Sequence, residues 1–300
     1  MSKTSERALI VLFLHLEQME KAGVPITESL AAARDSAVTP KMARAVDGVL
    51  HEVRQGHPLH DAMGFYPKDF DETMIALITV GEKSGKMARV FGQCLEYVRR
   101  RDEHARLMRK ATRQPKLSLL IILVLAAFRG HTDLPWVAAG IVLSIAGFFA
   151  ARKYLYVFRY LTDRLFLALP VLGTFVARDS WARFAASLAM LFEAGVDMRS
   201  ALATAAESVP NLVIRQAAED ALPRVVKGAS LLTAFRESRR MDKMALAMLK
   251  AGEDTGNFAH TLRELADYYE KSTSDALTAL QQYTGPVLTI ITGSILYLGF

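Results

Sequence analysis

Apolar residues recur along this chain at helical spacing. Leu9, Leu12, Leu16 and Met19 stand at i, i+3, i+7 and i+10, one face of an amphipathic helix. Trp181, Phe184, Leu188 and Leu191 repeat that face in the second half. A later face, Met87, Phe91, Leu95 and Val98, is echoed by Phe258, Leu262, Ala266 and Tyr269. Shorter helical stretches are predicted around 26–36, 41–54 and 70–80, with counterparts downstream. No segment sustains the period-two alternation of a half-buried strand. The predicted fold class is all-α. At the N-terminus Lys3 and Arg7 precede the apolar run Ala8–Leu14, but His15, Glu17 and Glu20 follow with no small-residue cleavage site. The run therefore reads as the first helix of a domain and not as a signal peptide.

The two halves keep a common register. Ala22-Gly23-Val24 recurs as Ala194-Gly195-Val196, an offset of 195 − 23 = 172. The same offset carries Leu30 onto Leu202, Ser36 onto Ser208, Leu50 onto Leu222, Val53 onto Val225 and Gly56 onto Gly228. One residue is then lost, and 252 − 81 = 171 carries Gly81-Glu82 onto Gly252-Glu253, Gly85 onto Gly256, Tyr97 onto Tyr268 and Pro115 onto Pro286. A single gap over nearly a hundred residues marks an internal repeat, each copy one helical unit. The reading is a bundle of about six helices, made twice. Gly23 and Gly195 are expected just past a helix end, where glycine takes the left-handed conformation cheaply; Pro25 and Asp197 then open the next helix. Pro223 falls where the first copy has His51. Because proline in a helix interior costs about 3 kcal/mol, a kink or boundary is expected there in the second copy only.

Between the copies Leu117–Phe128 is apolar, Arg129–Asp133 interrupts, and Leu134–Ala151 is apolar again; a third apolar stretch, Gly285–Phe300, closes the chain. Spanning a bilayer takes about 20 residues. The pattern predicts a membrane hairpin and a third span, the first short unless Lys116 and Arg129 snorkel, the third incomplete. The expected layout is a first helical module at 1–114, a hairpin at 115–152, a second module with a juxtamembrane lead-in at 153–284, and a third span at 285–300. Arg99, Arg100, Arg101, Arg106, Arg109, Lys110, Arg113 and Lys116 precede the first span, and Arg152, Lys153, Arg159 and Arg164 follow the second. By the positive-inside rule both modules and the N-terminus are expected on the cytoplasmic side.

Composition agrees with this picture. The chain is 51% hydrophobic with a formal charge of +6, and its mean hydropathy is +0.17. Much of the basic excess is juxtamembrane, which removes the main reason to invoke nucleic acid. Cys94, the single cysteine, lies in a helical pattern and cannot form an internal disulfide; it is expected to pack rather than react.

The tested chemical signatures fail. Gly81-Glu-Lys-Ser-Gly85-Lys86-Met87 has three residues between its glycines and Met after the lysine. A phosphate loop needs four residues, then Ser or Thr, and a preceding strand. His57, His60 and Asp61 face Ala229, Leu232 and Thr233 in the second copy, so a solvated helix start is favoured over a metal site. The expected spans carry no internal acidic residue for an ion relay. No enzymatic activity and no cofactor are expected. What remains is the doubled Gly-Glu-x-x-Gly. Its glycines are expected to form a tight interhelical turn, and alanine at Gly81 or Gly252 is expected to be costly if φ there is positive. Its glutamate is expected near the start of the following helix, favoured there by the dipole. A carboxylate presented to a partner at the same corner of each module is the functional alternative.

With these residues the chain resembles the type II secretion F-domain family, the inner-membrane platform proteins of type II secretion and type IV pili. The resemblance rests on the two Ala-Gly-Val helix ends and the corners Gly81, Glu82, Gly85 and Gly252, Glu253, Gly256. It rests also on Pro115 and Pro286 entering the membrane, and on the module–hairpin–module–span order. It implies a protein without enzymatic activity in the bacterial inner membrane, working beside other assembly proteins there. It further implies a homo-oligomer that docks on a cytoplasmic ATPase and helps lift pilin or pseudopilin subunits from the bilayer into a filament. A membrane-anchored scaffold, or a transporter component unrelated to filament assembly, is the alternative.

Overall fold

The computed structural model describes residues 3–128, 152, 155–238 and 240–298. Among them every regular element is a helix. The first half holds α1 (Lys3–Lys21), α2 (Ile26–Asp35), α3 (Pro40–Arg54), α4 (Leu59–Gly64), α5 (Glu72–Ser84) and α6 (Met87–Phe128). The second holds α7 (Tyr156–Ala168), α8 (Pro170–Ala194), α9 (Met198–Glu207), α10 (Leu212–Glu219), α11 (Leu222–Val226), α12 (Leu231–Ser238), α13 (Lys243–Thr255) and α14 (Phe258–Leu298).

These bounds fall in the register of the sequence. Helices α2 and α9 start 198 − 26 = 172 residues apart, α4 and α12 231 − 59 = 172, α5 and α13 243 − 72 = 171, and α6 and α14 258 − 87 = 171. The one exception is at Pro223. Helix α3 runs unbroken, whereas its second-half counterpart is split into α10 and α11. Pro223 has no N–H to bond the carbonyl of Glu219, so the helix ends there and restarts with the proline in its first turn. The break gives two helices in the stretch that matches α3, where one was expected. Gly23 and Gly195 do hold positive φ, +75° and +93°.

The chain divides into two compact units. The first comprises Met1–Ala105, Ser180–Pro210 and Ile214–Tyr269. Its core is lined by the faces read from the sequence: Leu9, Leu12 and Leu16 on α1, Phe91, Leu95 and Val98 on α6, Trp181, Phe184, Leu188 and Leu191 on α8, and Leu262, Ala266 and Tyr269 on α14 are all buried. The first residue of each late face, Met87 and Phe258, stays half-exposed, as does Met19. Trp181, Phe184 and Phe235 pack edge-to-face with centroids 5.4–5.7 Å apart, an arrangement aromatic quadrupoles favour. The indole N–H of Trp181 donates to the carbonyl of Arg240 at 3.0 Å.

The second unit comprises Arg106–Asp179, Asn211–Val213 and Glu270–Phe300. Within it the fully buried Asp163 pairs with Arg152 at 2.5 Å and accepts from the Leu212 amide at 2.9 Å. Such a buried carboxylate persists because both a cation and an amide satisfy it. Tyr156, Val157, Leu161 and Leu165 leave an exposed apolar face on α7. Helices α6 and α14 continue without interruption past Pro115 and Pro286, each 28 residues beyond its helix start (115 − 87 and 286 − 258). Among the described residues no single helix is long and apolar enough to cross a membrane. The expected span Leu134–Ala151 and the loop Arg129–Asp133 lie outside the described residues.

Candidate functional site: the duplicated glycine and glutamate corner

Each corner closes a helix in the first unit. Gly85 caps α5 with φ +65° and Gly256 caps α13 with φ +69°, the left-handed conformation that lets the chain reverse into the next helix. Gly81 and Gly252 act differently from the expectation. They lie inside α5 and α13 without positive φ, and both are buried. Glycine is required there by approach: a Cβ on Gly81 would meet Met87 Sδ at 2.8 Å and Val90 Cγ2 at 3.0 Å. One on Gly252 would meet Thr261 Oγ1 at 2.6 Å and its Cβ and Cγ2 at 2.8 Å. The missing side chain is what lets α5 close on α6, and α13 on α14.

The glutamates also sit elsewhere than expected. Glu82 and Glu253 belong to the last turns of α5 and α13, not to the helix that follows. Their carboxylates reach back to the start of a helix about twenty residues earlier. Glu82 accepts from the amides of Leu59 at 2.6 Å and His60 at 3.2 Å and pairs with the His60 ring. Glu253 accepts from the amide of Leu232 at 2.9 Å. Helix starts leave four amides without intrahelical partners, and a carboxylate there is favoured by the dipole as well. The local caps explain the difference. Pro58, at the start of α4, has no side-chain acceptor, so Glu82 serves two amides. In the second half Ser230 Oγ accepts from Thr233 N at 3.2 Å, and one amide remains for Glu253. His60, a candidate metal ligand by type, is thereby tied into the cap, and among the described residues no group of three His, Cys, Asp or Glu side chains is placed to hold a metal.

A second duplicated device escaped the sequence reading. Asp71 caps α5 by accepting from Met74 N at 3.1 Å, and Asp242 caps α13 by accepting from Ala245 N at 2.8 Å. Each aspartate also accepts from a tyrosine in the same register, Tyr97 at 3.1 Å and Tyr268 at 3.5 Å. In the first half Arg101 joins them, paired with Asp71 and with Glu6 at 2.9 Å and lying 5.3 Å from the Tyr97 ring centroid. Burial, and then the charge of Asp71, push the Tyr97 hydroxyl far above its usual range, so it remains a donor. In the second half Arg178 and Ser272 occupy the positions of Glu6 and Arg101, so the charged cluster belongs to one copy. The signal was present as an Asp and a Tyr conserved in the internal register.

Cys94 is fully buried, and burial followed by the charge of Asp71 raises its thiol well above the ordinary value. It is a packing residue. Around the corners, Lys83, Ser84 and Lys86 are exposed in the first half and Asp254, Thr255 and Asn257 in the second. Beside the second corner an open recess of about 580 Å³ is lined by Arg89, Asn257, His260 and the Arg263–Glu193 ion pair, whose contacts are 2.9 and 2.5 Å. The geometry organises helix ends and leaves polar surface beside them; its carboxylates are engaged in caps.

The family model of the type II secretion system (T2SS) protein F matches residues 16–128 and again residues 184–300, both halves of the chain. The type IV pilus assembly protein PilC of Pseudomonas aeruginosa is 26% identical over 317 residues, covering 95% of this chain and 85% of that protein. The type II secretion system protein F of the same organism is 26% identical over 323 residues, covering 97% and 80%. The type IV pilus assembly protein PilC of Thermus thermophilus is 24% identical over 319 residues, covering 96% and 78%. With the family model matching both halves, the chain belongs to the type II secretion system protein F family.

Proposed function

We propose that this chain is the inner-membrane platform of a type IV pilus or type II secretion machine. In this reading two copies of one cytoplasmic helical module flank a membrane hairpin, and a third span follows the second copy. The platform is a non-enzymatic homo-oligomer that docks a cytoplasmic assembly ATPase and transmits its motion to pilin or pseudopilin subunits entering a filament. The observation that carries the reading is the family model's double match, in the register that also aligns the Gly81–Gly85 and Gly252–Gly256 corners. Relatives named for pilus assembly and for secretion extend along nearly the whole chain.

Three structural features support it. Helices α6 and α14 continue without a break from buried faces into the apolar segments. The exposed apolar face of α7 carries Tyr156, Val157, Leu161 and Leu165, with Arg159 and Arg164 on the same helix. Apolar and basic residues on one helix suit a membrane surface. The exposed turns beside Glu82 and Glu253 offer a basic and an acidic contact for partners. The test is capture of the host's pilus or secretion ATPase by the detergent-solubilised chain, with and without nucleotide. Specific, nucleotide-sensitive capture is expected. A folded, oligomeric sample that captures no assembly ATPase would leave a membrane scaffold without the coupling role.

A further inference from the structure

Helices α5 and α13 are equivalents in the register, yet they are covered differently. Both bury one face in their own bundle: Met74, Ile78 and Gly81 on α5, and Ala245, Leu249 and Gly252 on α13. A second face of α5 is also covered. It packs on α9 of the other half, and Thr73, which is 2% exposed, has its hydroxyl 3.0 Å from that of Ser187 on α8. Among the described residues the equivalent face of α13 has no such cover. Met244 stands at the position of Thr73 and is 55% exposed. Ala247 and Ala251 are exposed as well, and Met248 is half-buried where Leu77 is fully buried. Met244, Ala247, Met248 and Ala251 fall at i, i+3, i+4 and i+7, an apolar stripe on an otherwise polar surface.

The receiving surface is likewise used once. On α8, Ser187 and Met190 are buried at 0% and 8%. Their equivalents on α1, His15 and Gln18, are half-buried and exposed, and the adjoining Val11 is 37% exposed. The contact between the halves is thus heterologous: the α5 face of the first meets the α8/α9 face of the second. A heterologous contact leaves one face of each kind free, and two such free faces on identical chains join head to tail. The charges agree. In the contact already made, Glu72 lies near Glu207, whose carboxyl is raised by burial and then by that neighbour. In the free pair Lys243 takes the place of Glu72, and Asp35 that of Glu207. Asp35 and Asp47 share Arg34, leaving that corner net negative. Repulsion inside the chain becomes attraction between chains.

We infer that the α13 stripe of Met244, Ala247, Met248 and Ala251 docks on the α1/α2 face around Val11, His15 and Gln18 of a second copy of this chain. The inference rests on the two-module, homo-oligomeric reading and is independent of the ATPase. Its test is disulfide cross-linking of the full chain in native membranes, in a Cys94→Ala background. Met244→Cys and His15→Cys occupy the positions that bring hydroxyls to 3.0 Å within the chain. Thr73→Cys with Ser187→Cys, expected to close within one chain, is the control. Two differently tagged chains, one carrying each cysteine, are expected to form a mixed disulfide dimer. The double-cysteine chain is expected to form a ladder, and Met248→Glu to abolish it with helicity unchanged. Self-linking of Met244→Cys alone would overturn the inference in favour of an isologous contact. An oligomer by native mass that gives no mixed dimer would overturn this surface while leaving homo-oligomerisation standing, and a monomer would remove both. Burial of the stripe by lipid or by another protein, read as thiol protection without chain-to-chain linking, would also overturn it.

Discussion

Replacing Gly252 with alanine separates two opposed effects whose sizes can be set from the structure. A helix-interior alanine is favoured over glycine by about 0.8–1 kcal/mol through backbone entropy. Against this, the new Cβ would lie 2.6 Å from Thr261 Oγ1 and 2.8 Å from its Cβ and Cγ2. Thr261 is β-branched and holds few rotamers in a helix, so relief must come from moving α14. Overpacking of this kind costs about 1–3 kcal/mol, which leaves a net loss on the order of 1 kcal/mol. At Gly81 the nearest atom is the sulfur of Met87, the flexible end of a side chain. Val90 Cγ2 and Cβ stand further off, at 3.0 and 3.1 Å, so Gly81→Ala is expected to lower Tm, but by less than Gly252→Ala. The assay is thermal unfolding of both variants in the same detergent. For a compact unit of this size about 1 kcal/mol moves Tm by about 2–4 °C. Thr261→Ala in the Gly252→Ala background removes two of the three close atoms and should restore part of the loss. A Tm for Gly252→Ala equal to or above the parent would show that helix propensity outweighs the close approach, and the packing argument would fail.

Four further outcomes follow from the same geometry. Glu82→Ala leaves two amides at the start of α4 without their acceptor and should cost about 1–2 kcal/mol, Glu82→Gln less, while Glu253→Ala should cost less than Glu82→Ala because it serves one amide; equal losses in denaturant titrations would contradict this. Arg101→Met strands the buried Glu6 and the half-buried Asp71 and should cost about 3–5 kcal/mol, with partial recovery on adding Glu6→Gln, a pattern a double-mutant cycle would reveal or exclude. The Glu207 carboxyl is raised in the fold, so its contribution is present at low pH and lost as pH rises through the folded value. Glu207→Gln should accordingly raise Tm at pH 7, and the gain should shrink as pH falls toward the carboxylate range; a gain that does not vary with pH would refute the account. Cys94 should resist maleimide in the folded chain and react only on unfolding; rapid labelling of the native protein would contradict its burial.

Much of the fold was legible because local rules and tertiary packing agree. The apolar faces of α1, α6, α8 and α14 needed only helical periodicity, and the break at Pro223 needed only a missing N–H. Gly23 and Gly195 followed from the chain's need for a left-handed residue at a helix end. The corners were only partly legible. Their glycines were found by repetition, but repetition does not distinguish a positive φ from a close approach, and Gly81 and Gly252 are the latter. The target of Glu82 was hidden because the contact joins helix ends more than twenty residues apart in sequence. One clue was present: Pro58 opens a helix with no side chain able to cap it. The asymmetric cover of α5 and α13 was illegible, since Met244 and Thr73 reveal nothing of their neighbours until the bundles are packed.

The central claim is that this chain is needed to move subunits from the membrane into a filament. The most direct measurement is a clean deletion of its gene in the host, with filament subunits followed in the membrane fraction and in assembled filaments. The account predicts that subunits are still made and accumulate in the inner membrane while filaments vanish, and that the full chain supplied in trans restores them. Filaments assembled at normal levels without the chain, or subunits that never reach the membrane, would contradict it.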